Sequence, residues 1–142
     1  EYLLNQPWIN LIVSSTVTPL TIKTLPDLLL KVQQWNQIRT VYHYQNSVNS
    51  PDYMFIDIFG DIFSQDFERA IDLKPAGTPE EQSSKRYLEG IGIQASSGQP
   101  NLTSIKKLFD FLNTMDLRRG TNWSAVFPWL IDEFARFGLH KS

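Results

Sequence analysis

A cluster of hydroxyl side chains follows the first apolar run of the sequence. Ser14, Ser15, Thr16, Thr18 and Thr21 form this cluster. Hydroxyl groups at the end of a strand can hydrogen-bond a ligand, because ligands of α/β proteins bind at the carboxyl ends of parallel strands. Such groups also commonly satisfy the backbone of their own turn, so both interpretations stand. No glycine-rich phosphate loop accompanies the cluster, and a dinucleotide-binding fingerprint is therefore not supported.

A histidine marks the second place where chemistry is conceivable. His43 stands near the end of a β-prone run, and Gln45 and Asn46 follow it in a polar stretch that we expect to be a loop. An imidazole at this place could act as a general acid or base. No serine or carboxylate beside it in the sequence completes a relay, so a packed, hydrogen-bonded histidine is the favoured interpretation. His140 lies in the tail, where we expect it to be exposed.

Three aspartates lie close together near the start of an expected helix. Asp57 and Asp61 are four residues apart and could share a helix face. Two carboxylates supply fewer oxygen ligands than a hard cation takes. We therefore expect these two, together with Asp66, to cap a helix N-terminus and to interact favourably with its dipole.

A further carboxylate, Asp116, lies beside Arg118, Arg119 and Asn122 near the end of the chain. Arginine binds carboxylates through two parallel hydrogen bonds. We therefore predict a structural cluster at this place that joins the last two helices.

The first elements that must position these residues are a strand, a helix and a second strand. Residues 9–13 are apolar except for Asn10 and mostly β-branched, which predicts a strand with little exposure. Thr24, Pro26 and Asp27 predict a capping box at the start of a helix of roughly a dozen residues. Residues 40–44 form a second β-prone run. A helix between two strands favours a parallel pair with a right-handed crossover, and since two parallel strands alone do not make a stable sheet, we expect further strands beside them.

The remainder of the sequence has helical patterns. A second capping box begins at Thr78. Gly90 and Gly92 are expected to weaken the end of the helix that follows, and Gly120 is expected to end the next helix in the left-handed conformation. Pro128 fits only within the first turn of the last helix. The predicted helices cover residues 60–73, 79–91 and 126–137, together with a helix whose apolar stripe runs from Ile105 to Met115 and which Gly120 ends.

Composition excludes several classes of function. The chain has 142 residues, of which 42% are hydrophobic and 13% aromatic, which predicts one domain-sized unit with its own core. A formal net charge of -2 argues against nonspecific binding to nucleic acid or to an anionic membrane. The sequence contains no cysteine, which excludes disulfides, thiolate metal sites and thiol catalysis by this chain.

The same features suggest a location and a context for the chain. No apolar run approaches the length of about 18 residues that spans a bilayer, so a membrane is not an expected partner. The absence of cysteine makes a reducing compartment, the cytoplasm, the expected location. The chain begins at Glu1 rather than Met, which leads us to expect a piece of a longer polypeptide.

Short stretches of the sequence, in their order along the chain, carry a resemblance to a known family. They are Ser15-Thr16-Val17-Thr18, Leu25-Pro26-Asp27-Leu28, Pro51-Asp52-Tyr53-Met54, the stretch from Phe111 to Gly120 (FLNTMDLRRG), and Phe127-Pro128. Together they resemble the radical S-adenosylmethionine enzymes, in particular the group with a twitch-type C-terminal extension. In that group a late strand and helix precede a Pro-Glu-Tyr-Leu segment. An Asp, an Arg-Gly or Arg-Asn turn and a Phe-Pro-Glu-Leu helix then end the protein.

The resemblance implies an α/β fold in two parts. Residues 1–51 would supply the last two parallel strands of a partial (β/α) barrel, and residues 52–142 would form a helical C-terminal cap packed on it. Enzymes of this family bind a [4Fe-4S] cluster and S-adenosylmethionine and generate a 5′-deoxyadenosyl radical. Three cysteines near the family's N-terminus hold the cluster. Because this chain has no cysteine, the resemblance implies that it is not catalytically competent alone and has the missing N-terminal half of the barrel as its partner, on the same or a separate chain.

The resemblance also implies positions for a site. Ser14, Thr16 and Thr21 would contact S-adenosylmethionine, although the family often has Asn where Thr21 stands. The substrate would be a small molecule or a peptide, and nucleic acid is not an expected partner. The substrate side of the barrel would hold residues from the end of the second strand and the residues after it: His43, Gln45 and Asn46.

Two other classes of function remain alternatives. One is a non-catalytic helical protein-interaction module with a small β-sheet. A truncated barrel should leave the apolar edge of the first strand without its neighbour and should aggregate, whereas a module should cap or pair that edge and remain monodisperse. The other is a stand-alone hydrolase that uses His43 and an aspartate, which ranks last because the sequence has no nucleophile motif.

Overall fold

Two parallel strands form the sheet of the computed structural model, which describes residues 2–6 and 8–141. The strands are β1 (Leu11–Val17) and β2 (Val41–Ser47), and helix α1 (Leu25–Asn36) connects them. The mixed α/β class, the parallel pairing and the helical C-terminal region expected from the sequence are therefore confirmed. Among the described residues, no helix is both long and apolar enough to cross a membrane.

The helices account for more than half of the residues that the structure describes. Short 3-10 turns cover Tyr2–Asn5, Ile22–Thr24 and Asp52–Met54. The α-helices after the sheet are α2 (Ser64–Leu73), α3 (Pro79–Ser97), α4 (Leu102–Arg119), α5 (Trp123–Val126) and α6 (Trp129–Ala135).

Strand β1 extends further than the sequence predicts. The prediction covers residues 9–13, whereas the strand begins two residues later, at Leu11, and continues to Val17 through residues 14–16, whose hydroxyl side chains indicate a turn. Each of these hydroxyl residues lies opposite a residue of β2, in the segment 44–46. Pairing with a neighbouring strand outweighs the local preference of serine and threonine for turns. For the same reason Gln45 and Asn46 belong to β2 and not to a loop.

One face of the sheet is covered by helices and the other is open. Leu11 and Val13 of β1 pack against Val32 and Trp35 of α1 on the covered face, and α3 packs against β2. The expectation of little exposure is wrong for the other face, where Ile12 is 62% exposed. Alternation along each strand assigns the side chains to the two faces. The open face carries Ile12, Ser14, Thr16, Tyr42, Tyr44 and Asn46.

The structure bears out one of the two predicted capping boxes. Thr78 accepts a hydrogen bond from the Glu81 amide at 3.1 Å, and the Glu81 carboxylate accepts one from the Thr78 amide at 3.1 Å. Thr24 does not cap α1, because a 3-10 turn runs directly into that helix. Its hydroxyl instead donates to the Thr21 carbonyl at 2.9 Å.

Helix α3 continues through both of its inner glycines. The expectation that Gly90 and Gly92 weaken its end is wrong, because the helix extends for 19 residues. Gly92 lies where α3 meets α2, and a Cβ atom there would stand 3.1 Å from the Phe67 ring. A glycine therefore permits the close approach of the two helices. A Cβ atom at Gly90 would instead point into open space, with no neighbouring side chain within 4 Å.

The observed ends of the last helices agree only in part with those predicted from the sequence. Gly120 ends α4 with φ of 64°, the left-handed cap that was predicted. The single last helix expected over residues 126–137 is instead two short helices, α5 and α6, with a break at Phe127 and Pro128. Pro128 has no amide hydrogen and so cannot continue the hydrogen bonding of α5.

The predicted Asp116 cluster exists with different partners. Its carboxylate accepts hydrogen bonds from the Trp123 amide at 3.0 Å, the Thr121 hydroxyl at 2.8 Å and Lys141 Nζ at 2.8 Å. Burial of the carboxylate acts to raise its pKa, but these hydrogen bonds and the Lys141 charge together hold the pKa of Asp116 below its ordinary value. Arg118 and Arg119 are exposed on the last turn of α4, so the predicted arginine fork is wrong.

The three aspartates before and within α2 have different surroundings. Asp66 lies in the first turn of α2, as expected, and pairs with Lys23 at 3.1 Å. Asp57 and Asp61 do not cap the helix with their side chains, because its N-cap position is Phe63. Among the described residues, no group of three or more His, Cys, Asp or Glu side chains could hold a metal ion.

Alanine substitutions at the two α3 glycines test this account of helix packing. We expect Gly90→Ala to raise the free energy of unfolding by about 0.5–1 kcal/mol, because alanine loses less backbone entropy on folding. Gly92→Ala gains the same helix propensity but must displace the buried Phe67 ring, so we expect a net loss of stability. Urea unfolding of both variants measures the difference. Equal stabilisation by the two substitutions would contradict the proposed close approach.

Candidate functional site

A buried polar cluster lies between the sheet and the helices. We call it the His43 cluster, and it consists of Ser15, His43, Gln45, Lys74 and Ser84. Ser15 is in β1, and His43 and Gln45 are in β2. Lys74 directly follows α2, and Ser84 is in α3. His43 is 5% exposed and Lys74 is 4% exposed. The cluster therefore joins four parts of the chain at a place that water scarcely reaches.

The hydrogen bonds of His43 define its tautomer. Lys74 Nζ lies 3.0 Å from His43 Nδ1 and donates to the His43 carbonyl at 3.0 Å. An ammonium group has donors and no acceptor, so Nδ1 accepts from Lys74 and the ring hydrogen is on Nε2. Nε2 lies 2.8 Å from Ser15 Oγ. His43 therefore donates to Ser15 while Lys74 is charged.

The other members complete the cluster. Gln45 Nε2 donates to the Ser84 carbonyl at 2.9 Å, and Ser84 Oγ donates to the His43 carbonyl at 3.2 Å. Within the described residues, every buried side-chain nitrogen and oxygen has a hydrogen-bond partner. The packed, hydrogen-bonded histidine expected from the sequence is thus confirmed.

Burial sets the charge states in the cluster. Desolvation, together with the nearby Lys74 charge, lowers the pKa of His43 from 6.5 to about 4. Desolvation also lowers the pKa of Lys74 from 10.5 to about 8, against the opposing effect of Glu81. At neutral pH the imidazole is therefore neutral and the ammonium is charged, as the tautomer assignment requires.

This arrangement is not that of a serine hydrolase. In a hydrolase the histidine accepts the proton of the nucleophilic serine, and a carboxylate orients the imidazole. Here the imidazole donates to Ser15, and a lysine occupies the place of the carboxylate. The cluster at neutral pH therefore has no general base beside Ser15.

The structure separates the residues that the sequence grouped as one substrate side. His43 and Gln45 are on the covered face of β2, whereas Asn46 is on the open face. Asn46 Nδ2 donates to Ser14 Oγ at 3.3 Å across the sheet, and Thr16 lies opposite Asn46 in the register. The site residues brought together on the open face are Ser14, Thr16 and Asn46.

Thr21, the remaining candidate for cofactor contact, is engaged in its own turn. Its hydroxyl donates to the Thr16 carbonyl at 2.7 Å and accepts from the Thr18 amide at 2.9 Å. Thr18 Oγ1 in turn accepts from the Leu20 amide at 3.2 Å. For Thr18 and Thr21, the turn interpretation of the hydroxyl cluster accounts for the observed hydrogen bonds.

Lys74 and Ser84 are the members of the His43 cluster that sequence reasoning missed. A lysine at the end of a helix is ordinarily exposed, where it interacts with the helix dipole, and nothing in its spacing indicates burial. The sequence did contain one signal of burial: His43 and Gln45 are two and four residues after the apolar Val41, so all three share one face of β2. Two polar side chains on a covered face require buried partners.

A cavity of about 210 Å³ lies between the carboxyl end of β1 and the start of α1. Ser15 lies on its wall and so connects the cavity with the His43 cluster. The lining residues are Ser15, Thr16, Val17, Thr21, Ile22, Thr24, Leu25 and Leu28.

Comparison with known proteins adds no relative. The chain matches no protein-family model, no curated protein and no solved structure.

The lowered pKa of His43 predicts a stability that depends on pH. The unfolded chain takes up the proton with a pKa of 6.5 and the folded chain with a pKa of about 4, so protonation favours unfolding. Stability from this residue is intact above about pH 6.5 and falls between pH 6.5 and 4, by about 2 kcal/mol after allowance for solvent screening. Urea unfolding at several pH values measures this loss.

The two histidines of the chain provide the control. His43→Gln should be less stable at pH 7 but should lose less stability than the native chain between pH 6.5 and 4. His140→Gln should behave like the native chain, because His140 is exposed. If the His43→Gln variant retained the full loss between pH 6.5 and 4, the assignment to His43 would be wrong.

Proposed function

We propose that the chain is the C-terminal portion of a radical S-adenosylmethionine enzyme and contributes the last two strands of its partial (β/α) barrel. The observation that carries this proposal is the asymmetry of the sheet. In a (β/α) barrel, helices cover the outer face of the strands and the inner face is turned to the barrel axis, with the site at the carboxyl ends. Here helices cover one face, and the uncovered face has Ser14, Thr16 and Asn46 towards its carboxyl end.

The free edge of β1 supports the same proposal. Among the described residues, the peptide groups of β1 make backbone hydrogen bonds to β2 and to no segment on the other side. An unpaired strand edge is a template for another strand. The preceding strand of a barrel would occupy this place.

The two cofactors of the family fit this chain to different degrees. The iron–sulfur cluster does not fit, because its ligands are cysteines and the chain has none. S-adenosylmethionine, which supplies the radical chemistry in such enzymes, fits better, because Ser14 and Thr16 are exposed on the open face, where their hydroxyls could hydrogen-bond a ligand. Thr21 would shape the turn beside them, through its hydrogen bond to the Thr16 carbonyl.

Each strand-end residue then has a distinct part in this proposal. Asn46 would face the substrate, next to Ser14, to which it donates a hydrogen bond. His43 and Gln45 would hold β2 against Lys74 and Ser84 from the outer side, which positions Asn46 without contact to the substrate.

A protein-interaction module is the alternative, because the open face also carries apolar groups. Ile12, Tyr42 and Tyr44 are exposed there and could meet another protein. We favour the barrel because, among the described residues, no strand other than β2 pairs with β1, whereas a finished module would pair or protect the second edge of β1.

The state of association of the 142-residue chain tests the open face. We expect the chain to self-associate as its concentration rises, because a strand edge and an apolar sheet face are exposed together. Ile12→Lys should reduce the association by placing a charge on that face, whereas Ile93→Lys, at a still more exposed isoleucine of α3, should not. Sedimentation velocity measures both. A monodisperse native chain would favour the interaction module.

The nucleotide sequence in front of the Glu1 codon tests the enzyme family. We expect an open reading frame that encodes further alternating strands and helices and three closely spaced cysteines. The protein from that frame, purified anaerobically with its cluster, should cleave S-adenosylmethionine to 5′-deoxyadenosine. Thr16→Val should weaken S-adenosylmethionine binding, and the exposed substitution Ser97→Ala should not. A start codon directly before Glu1, preceded by a stop codon, would contradict the proposal.

A further inference from the structure

The cavity at the carboxyl end of β1 has a polar side and an apolar side. Its polar side has the hydroxyls of Ser15, Thr21 and Thr24, whereas the side chain of Thr16 belongs to the open face of the sheet. The apolar side consists of Val17, Ile22, Leu25 and Leu28. A pocket with an apolar wall and few placed polar groups is typical of a small-molecule site.

Ser15 is the hydroxyl of this cavity with a hydrogen left to donate. Thr21 donates its hydrogen to the Thr16 carbonyl, and Thr24 donates its hydrogen to the Thr21 carbonyl. Ser15 Oγ instead accepts from His43 Nε2, at 2.8 Å, since Lys74 occupies the other ring nitrogen. A hydroxyl group has one donor and two acceptor positions, so the Ser15 hydrogen remains for a ligand.

The chain of hydrogen bonds behind Ser15 favours an anionic acceptor. It begins at the buried Lys74 ammonium, passes through the His43 ring and ends at the Ser15 hydroxyl. Hydrogen bonds in such a chain polarise one another, which makes the last donor stronger. The residues that line the cavity include no aspartate or glutamate that would repel an anion.

We propose that this cavity binds a small aliphatic carboxylate. Ser15 donates its hydroxyl hydrogen to a carboxylate oxygen, and the aliphatic tail of the ligand packs against Leu25 and Leu28. All the side chains of this site are from the residues that the structure describes. The cavity shares Thr16 and Thr21 with the barrel proposal, but its donor, Ser15, is on the covered face of β1. Binding of a carboxylate to the isolated chain therefore tests this proposal separately from the barrel proposal.

Titration of the ¹⁵N-labelled 142-residue chain with sodium isovalerate, followed by amide NMR spectra, tests the site. We expect saturable shifts of the amides from Ser15 to Thr24. The alcohol 3-methylbutan-1-ol, which has the same tail without the charge, should bind about tenfold more weakly, as expected for loss of a charge-assisted hydrogen bond. The amine 3-methylbutan-1-amine should not bind. Shifts that do not saturate, or equal binding of the amine, would overturn the proposal.

Two substitutions test the Ser15 hydrogen-bond donor and the space in the cavity separately. Ser15→Ala should raise the Kd for isovalerate about tenfold, and Leu28→Phe should abolish binding by filling the cavity while it leaves the hydrogen-bond chain intact. Ser97→Ala, at an exposed serine at the end of α3, should bind as the native chain does. The amide spectrum of each variant reports whether it is folded. If Ser15→Ala does not fold, retained binding in folded Leu28→Phe still overturns the proposal.

Discussion

A parallel pair of strands has two faces, and the one helix that joins the strands can cover only one of them. This constraint organises the whole structure. Helices α1 and α3 pack on the same side of the sheet, and the aromatic core extends from that side. The other side retains a row of small polar and aromatic side chains that no described helix covers. The position of the candidate site follows from this asymmetry, because the covered face holds buried partners and the open face can meet a ligand.

The covered face has an unusual feature, a charged lysine between sheet and helices. Burial of an ammonium group is costly unless its hydrogen bonds are made. Lys74 makes two, to the ring and to the carbonyl of His43, and Ser84 donates to the same carbonyl. These contacts fix the end of α2 and the first turns of α3 against β2. The cluster therefore secures the carboxyl end of the strand, and on this basis the exposed neighbour Asn46 has a defined position.

Sequence reasoning was accurate where local chemistry decides the structure. Thr78 caps α3 because its hydroxyl accepts a hydrogen bond from the Glu81 amide, and the Glu81 carboxylate accepts one from the Thr78 amide. Gly120 ends α4 because glycine adopts positive φ at little cost. Sequence reasoning failed where contacts with a segment distant in the sequence decide the local structure. Serine and threonine are turn residues by preference, yet residues 14–16 extend β1 because β2 lies alongside. Gly92 weakens an isolated helix, yet α3 passes through it because Phe67 packs there.

The sequence by itself determined the order of strand, helix and strand, the parallel pairing, the helical C-terminal part and the absence of cysteine ligands. These follow from hydrophobic period, capping residues and composition, which are properties of neighbouring residues. Only the tertiary structure decided which side chains share a surface. Alternation places residues 43 and 46 on opposite faces of any strand that contains both. Pairing with β1 extends β2 as far as Asn46, and the packing of α3 decides which face is covered. The contact of Lys74 with His43 joins residues that are 31 positions apart, and no local pattern encodes such a distance.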